Sequence, residues 1–137
     1  MYPVCSYKEA RAEVDTLIDQ VQGNAIEEKI KSLVAALRMF GLHTIQSCEG
    51  HLDGRKSRFP FVQIEPLDLG ALAEIVAYQN RLDRKDQPMH DNQWVIHPTV
   101  NVLTVQPELL NLSLEKLQEN ADGFSKTLRR LAGEINI

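Results

Sequence analysis

The polar run Ser47-Cys48-Glu49-Gly50-His51 places a hydroxyl, a thiol, a carboxylate and an imidazole within five residues. A thiol with an imidazole three positions away can become a nucleophile, because the ring lowers the thiol pKa and relays its proton. Cys48 and His51 are therefore the candidate catalytic pair, the first as nucleophile or ligand anchor and the second as general acid/base. Gly50 between them permits a positive φ or a close backbone approach to a ligand. Ser47 and Glu49 join Gly50 in the candidate ligand-binding set, against plainer roles as a turn cap and a solvated side chain. Downstream, Arg55, Lys56 and Arg58 form the one basic cluster. Folded over the strand end they would clamp an anion; left in solvent they are a soluble loop tip.

Metal chemistry is a separate alternative. Cys48-x2-His51 is half of a zinc pattern, with His90 and His97 as the distant donors that would complete a tetrahedral site. No second close pair exists, so spacing assigns no metal ligand and names no cofactor. His43 lies at the other end of the same strand and reads as structural or exposed. Trp94 reads as a core or rim aromatic, since no basic groove with a second aromatic accompanies it.

The elements that would hold these groups follow from periodicity. Ser6-x-x-Glu9 is a capping box opening a helix with the stripe Ala10, Val14, Leu17, Ile18 and Val21, closed by Gly23. Asn24, with Glu27 three residues on, caps a second helix whose stripe runs Ile26, Ile30, Leu33, Val34, Leu37 and Phe40. The pair forms a helical hairpin or a strongly bent unit. Leu42–Cys48 and Phe59–Glu65 have strand character, the second with clear alternation. Along the first, Thr44, Gln46 and Cys48 should face one way, and Ile45 and Ser47 the other. Pro66 and Asp68 start a third helix through Leu69, Leu72, Ile75, Val76 and Leu82. Trp94–His97 and Val100–Val105 flank Pro98, giving two strands or one bulged edge strand. Ser113 caps a last helix with the seam Leu114, Leu117, Ala121, Phe124, Leu128, Leu131 and Ile135, which either lies on the sheet or is shared with a second subunit as a homodimer. The order ααββαββα predicts one layered α/β (α+β) domain over residues 1–137, with about four helices on one side of a mixed or antiparallel four-stranded sheet.

Composition narrows the function classes. At 137 residues the chain can bury a core without staples, and 43% hydrophobic and 25% charged residues are ordinary for a globular protein. A formal charge of −4 argues against wholesale binding to nucleic acid or anionic lipid. No apolar run approaches the ~18 residues of a membrane helix, and no signal segment is visible. The expectation is a cytoplasmic protein with Cys5 and Cys48 reduced.

The segment Thr44-x-x-Ser47-Cys48-x-Gly50-His51, followed by a loop and Pro60-Phe61-Val62, resembles a set of small bacterial and phage proteins of uncharacterised function that share the Ser-Cys-x-Gly-His signature. It is also distantly similar to the wybutosine-synthesis methyltransferase family, whose corresponding strand ends in Ser-Ser-Cys-Ser-Gly-Arg. That likeness covers about residues 26 to 65. Ser47, Cys48 and Gly50 match the motif, while Gln46 and Glu49 stand in place of serines and His51 in place of the arginine. What the resemblance implies is a ligand site at this strand end. The leading expectation is thus a protein binding a polar or anionic small molecule or nucleotide-like ligand there, with Cys/His chemistry open. The alternatives are an assembly module using the last helix and a Cys/His metal-binding protein.

Overall fold

The computed structural model describes residues 2–54 and 57–134. Arg55, Lys56 and Ile135 of the sequence reading lie outside the described residues. Ser6 caps helix α1 (Tyr7–Thr16), accepting the Glu9 amide while the Glu9 side chain returns to the Ser6 amide. The apolar stripe predicts a helix reaching Val21, but α1 stops at Thr16, and Ile18 and Val21 are exposed. The reason is local. The Asp19 carboxylate accepts the amides of Val21 and Gln22 at 2.8 and 2.9 Å, an alternative to helical pairing that Asp readily offers.

Asn24 likewise does not cap the second helix. A 3₁₀ turn at Glu28–Ile30 leads into α2 (Lys31–Met39), so residues 17–27 form a loop. Ile18 and Ala25 pair as a short antiparallel bridge within it. The two helices still pack closely, tied by Arg38, whose guanidinium reaches Glu13 on α1 at 2.6 Å and the Thr44 hydroxyl at 2.8 Å.

Four strands follow: β1 (Thr44–Cys48), β2 (Phe61–Ile64), β3 (Trp94–Pro98) and β4 (Leu103–Pro107). Helix α3 (Leu69–Gln79) joins β2 to β3 and α4 (Leu114–Leu131) ends the described chain. Leu82, expected to extend α3, is half exposed beyond its end. The sheet is antiparallel throughout in the order β1-β2-β4-β3. Pro98 sits at the end of an edge strand, where its missing donor is tolerated.

Val62, Ile64, Leu103 and Val105 supply the core face of the two central strands, all buried under the helices. Ala121, Phe124 and Leu128 of the α4 seam are buried against that same core, and Leu117 of the seam is buried as well. Full burial of one such side chain is worth about 1.5–3 kcal/mol, so this seam anchors the helix layer. Trp94 is a core aromatic, with its ring 5.1 Å from that of Phe124 at an interplanar angle of 71°, the edge-to-face arrangement that aromatic quadrupoles favour. Neither Cys5 nor Cys48 forms a disulfide. Among the described residues no helix is long and apolar enough to cross a membrane.

Candidate functional site

Strand β1 is an edge, and an edge leaves alternate backbone groups without a ladder partner. Here the loop between α1 and α2 covers them. The Gln20 amide donates to the Ile45 carbonyl at 3.2 Å. The Asp19 carboxylate accepts the Ser47 amide at 3.4 Å, and the Glu27 carboxylate accepts the Glu49 amide at 3.0 Å. Two carboxylates are thereby drawn to the end of the strand that carries the polar run. These contacts, added to the local turn at Asp19, hold residues 17–27 as a loop.

The strand itself is irregular. Thr44 pairs with Ile64 and Ser47 with Val62, while the register shifts between Thr44 and Gln46. Directly opposed residues share a face, so Thr44 and Ser47 lie on the core side and Gln46 and Cys48 on the other. The expectation for Ser47 holds; that for Thr44 does not, because the extra residue at Ile45 resets the alternation.

Beyond Cys48 the chain turns at Gly50, with φ +90°. A Cβ there would lie 2.5 Å from Leu114 Cδ1 and 3.3 Å from the backbone of Phe59 and Pro60. The glycine is therefore required by the protein's own chain. The Gly50 amide donates to Cys48 Sγ at 3.4 Å, and Gln118 of α4 donates to the Glu49 carbonyl at 3.0 Å. The turn is closed by the His51 amide, which donates to the Ser57 carbonyl at 2.8 Å. His51 is thus directed inward: its Nε2 lies 2.6 Å from Glu27 Oε2. That contact is short but off the ring N–H axis, so among the described residues Nε2 is buried without a hydrogen bond. Donor atoms of Glu27, Cys48 and His51 all lie within 4.8 Å of one another.

Beside this cluster opens a cleft of about 390 Å³, lined by Asp19, Glu27, Gln46, Ser47, Cys48, Ser57 and Phe61 among others. The Ser47 hydroxyl is buried and has no hydrogen-bond partner among the described residues. Glu49 is half-buried, and burial, followed by the neighbouring Glu27 charge, raises its carboxyl pKa. No lysine or arginine lines the cleft among the described residues.

Of the run Ser47–His51, Ser47 and Cys48 line the cleft and Glu49, Gly50 and His51 do not, while His51 joins Cys48 and Glu27 in the donor cluster. Cys48 lines the cleft but is only 4% exposed. Arg58 is exposed and does not line the cleft. His43 is exposed, paired with Asp68 at 3.1 Å. His97 is exposed on β3, while His90 meets the Thr127 hydroxyl at 3.2 Å beside a second cleft. Neither joins His51 in the metal-capable cluster, which among the described residues consists of Glu27, Cys48 and His51. Sequence reasoning missed Asp19 and Glu27. Both sit where an Asp-x3-Gly-Asn-x2-Glu pattern marks a turn as readily as a pair of helix caps.

The geometry allows two kinds of chemistry. A thiol–imidazole–carboxylate relay needs the sulfur and the carboxylate on different ring nitrogens, and Glu27 already occupies the side of Nε2. A three-donor metal centre needs its donors close together, and those of Glu27, Cys48 and His51 lie within 4.8 Å of one another. Comparison with protein-family models, curated proteins and solved structures returns no match to this chain.

Proposed function

We propose that this protein binds a small polar ligand in the cleft between the end of β1 and the loop of residues 17–27. The observation that carries the reading is the Ser47 hydroxyl, buried on a residue that lines the cleft and without a hydrogen-bond partner among the described residues. A buried polar atom left unpaired costs about 1–3 kcal/mol, a cost that a ligand hydrogen bond offsets. Cys48, Gln46, Ser57 and the two carboxylates add donors and acceptors around it, and Phe61 adds one apolar wall.

The lining alters the expected ligand. With Asp19 and Glu27 in the wall and no cation among its described residues, the cleft by itself favours groups that donate hydrogen bonds or carry positive charge. Among the described residues this wall offers an anion no countercharge.

The second cleft, about 250 Å³ near His90, is a weaker candidate. Its Gln79 Oε1 is also unpartnered, but Asn92 is bonded to Leu109 and Asn120, and Lys116 to Asp91. The α4 seam lies inside the subunit, which favours the cleft over an assembly role for that seam.

The test is an NMR screen of small polar metabolites in the presence of a chelator, with chemical shifts mapped on the backbone. Binders should move the amides of Ala25–Glu27 and Gln46–Glu49, and Ser47→Val should weaken them. Hits confined to the His90 cleft, or none across a broad library, would count against the proposal.

A further inference from the structure

We infer that Glu27, Cys48 and His51 form a binding site for a divalent transition metal, with zinc the best match, whose remaining coordination position faces the cleft. The three protein donors stand on their own geometry; only the identity of the fourth ligand rests on the cleft reading above.

The donor set argues first. One thiolate, one imidazole and one carboxylate are the ligand types that zinc takes, and a mixed N/S/O set is unsuited to magnesium or calcium. Three protein ligands with an open position is the pattern of reactive zinc centres, whereas structural centres close all four.

Distances argue next. Zinc bonds of about 2.0–2.3 Å give tetrahedral donor–donor edges of roughly 3.3–3.8 Å. The observed donors lie within 4.8 Å of each other, and the 2.6 Å edge between His51 Nε2 and Glu27 Oε2 is shorter than that range and would have to open around an ion. Side-chain shifts of about an ångström open it. The misaligned Nε2–Oε2 contact fits as well: two lone pairs aimed at a shared third point need not face each other.

Outer contacts support each donor. The Gly50 amide donates to Cys48 Sγ, which stabilises a thiolate, and the Glu49 amide holds Glu27 Oε1 so that Oε2 turns to the centre. Both amides come from the turn that only a glycine at position 50 permits.

Binding balances in charge and protons. The Cys48 thiol loses one proton to solvent as its sulfur bonds the metal. The 2+ ion then meets one thiolate, one carboxylate and a neutral imidazole, giving a centre of zero net charge. An ion in this position also changes the cleft. Its open position would accept an oxygen or nitrogen donor, so an anionic group becomes acceptable in a wall that otherwise offers it no countercharge among the described residues.

Cobalt(II) titration of tag-free protein stripped with chelator tests the inference. The expected result is one tightly bound ion per chain, a sulfur-to-cobalt charge-transfer band, and displacement by zinc. Cys48→Ser should abolish the band. Glu27→Gln, which keeps an acceptor for the Glu49 amide, and His51→Asn should each weaken binding by more than the roughly 100-fold that losing an outer contact costs. A band that survives Cys48→Ser, or no binding by folded wild-type protein, would overturn the site. Metabolite hits at Ser47 in chelator, from protein that gives no cobalt band, would remove the metal and leave the cleft. A cobalt band from protein that yields no metabolite hits would do the reverse.

Discussion

Replacing Gly50 with alanine should be among the most damaging small changes in this protein, and its effect divides into two measurable parts. The backbone part arises from φ +90°, where an L-residue loses about 1–2 kcal/mol relative to glycine. The packing part arises from the new methyl. Leu114 Cδ1, at 2.5 Å, can swing aside, but the Phe59 carbonyl carbon and Pro60 nitrogen at 3.3 Å are backbone and cannot. Overpacking of that kind adds about 1–3 kcal/mol, for a total of roughly 2–5. Gly23 isolates the first part, because it has φ +73° with nothing within 4 Å of its would-be Cβ. Urea unfolding of both variants at unchanged m-value should therefore place Gly50→Ala at least 1 kcal/mol below Gly23→Ala. Equal losses would show that the turn does not press on α4 and on the start of β2 as described.

Other consequences are simpler to state. Phe124→Ala removes the ring packed edge-on to Trp94 and should lose about 3–5 kcal/mol in the same assay; a loss under 1 would mean that α4 is not seated on the sheet. In metal-free native protein Cys48 should be alkylated later than Cys5, at a rate that follows opening of the fold, because it is nearly sealed. Cys5 is accessible but its pKa is raised by burial and then by Glu9 and Glu13, so its labelling should accelerate as pH rises above neutrality; peptide mass spectrometry reads both, and Cys48 reacting first would contradict the burial. Burial, aided by Arg81 and Arg130, lowers the His90 pKa from 6.5. Its stabilising contribution is therefore complete above pH 6.5 and is lost as pH falls through the lower folded value. His90→Asn should flatten the urea midpoint below pH 6.5 relative to wild type, and an unchanged slope would refute this.

Periodicity is readable where one face of an element meets one partner. The α4 seam and the Val62/Ile64 alternation belong to this kind; the strand order β1-β2-β4-β3 does not, because β2 pairs with β4 across a helical crossover and not with β3, the next strand in sequence. The Ser6 and Ser113 caps are equally legible, because a cap needs only its own helix. Residues 17–27 are not, since Leu17, Ile18 and Val21 keep helical spacing while Asp19 captures two amides of its own loop and the Ser47 amide of β1. Glu27 is hidden for the same reason: three residues after Asn24 it looks like a capping partner, yet it serves a strand edge that only the fold brings near. Half of the candidate site, Cys48 through His51, is local and stands in the sequence as a unit. The other half is supplied across the β1 edge.

Zinc-edge X-ray absorption of the zinc-loaded, tag-free protein tests most directly whether sulfur, imidazole and carboxylate meet at one point. The account predicts a shell with one sulfur at about 2.3 Å and the remaining nitrogen and oxygen scatterers at about 2.0–2.2 Å. A shell without sulfur, or one with no imidazole signature, would contradict it.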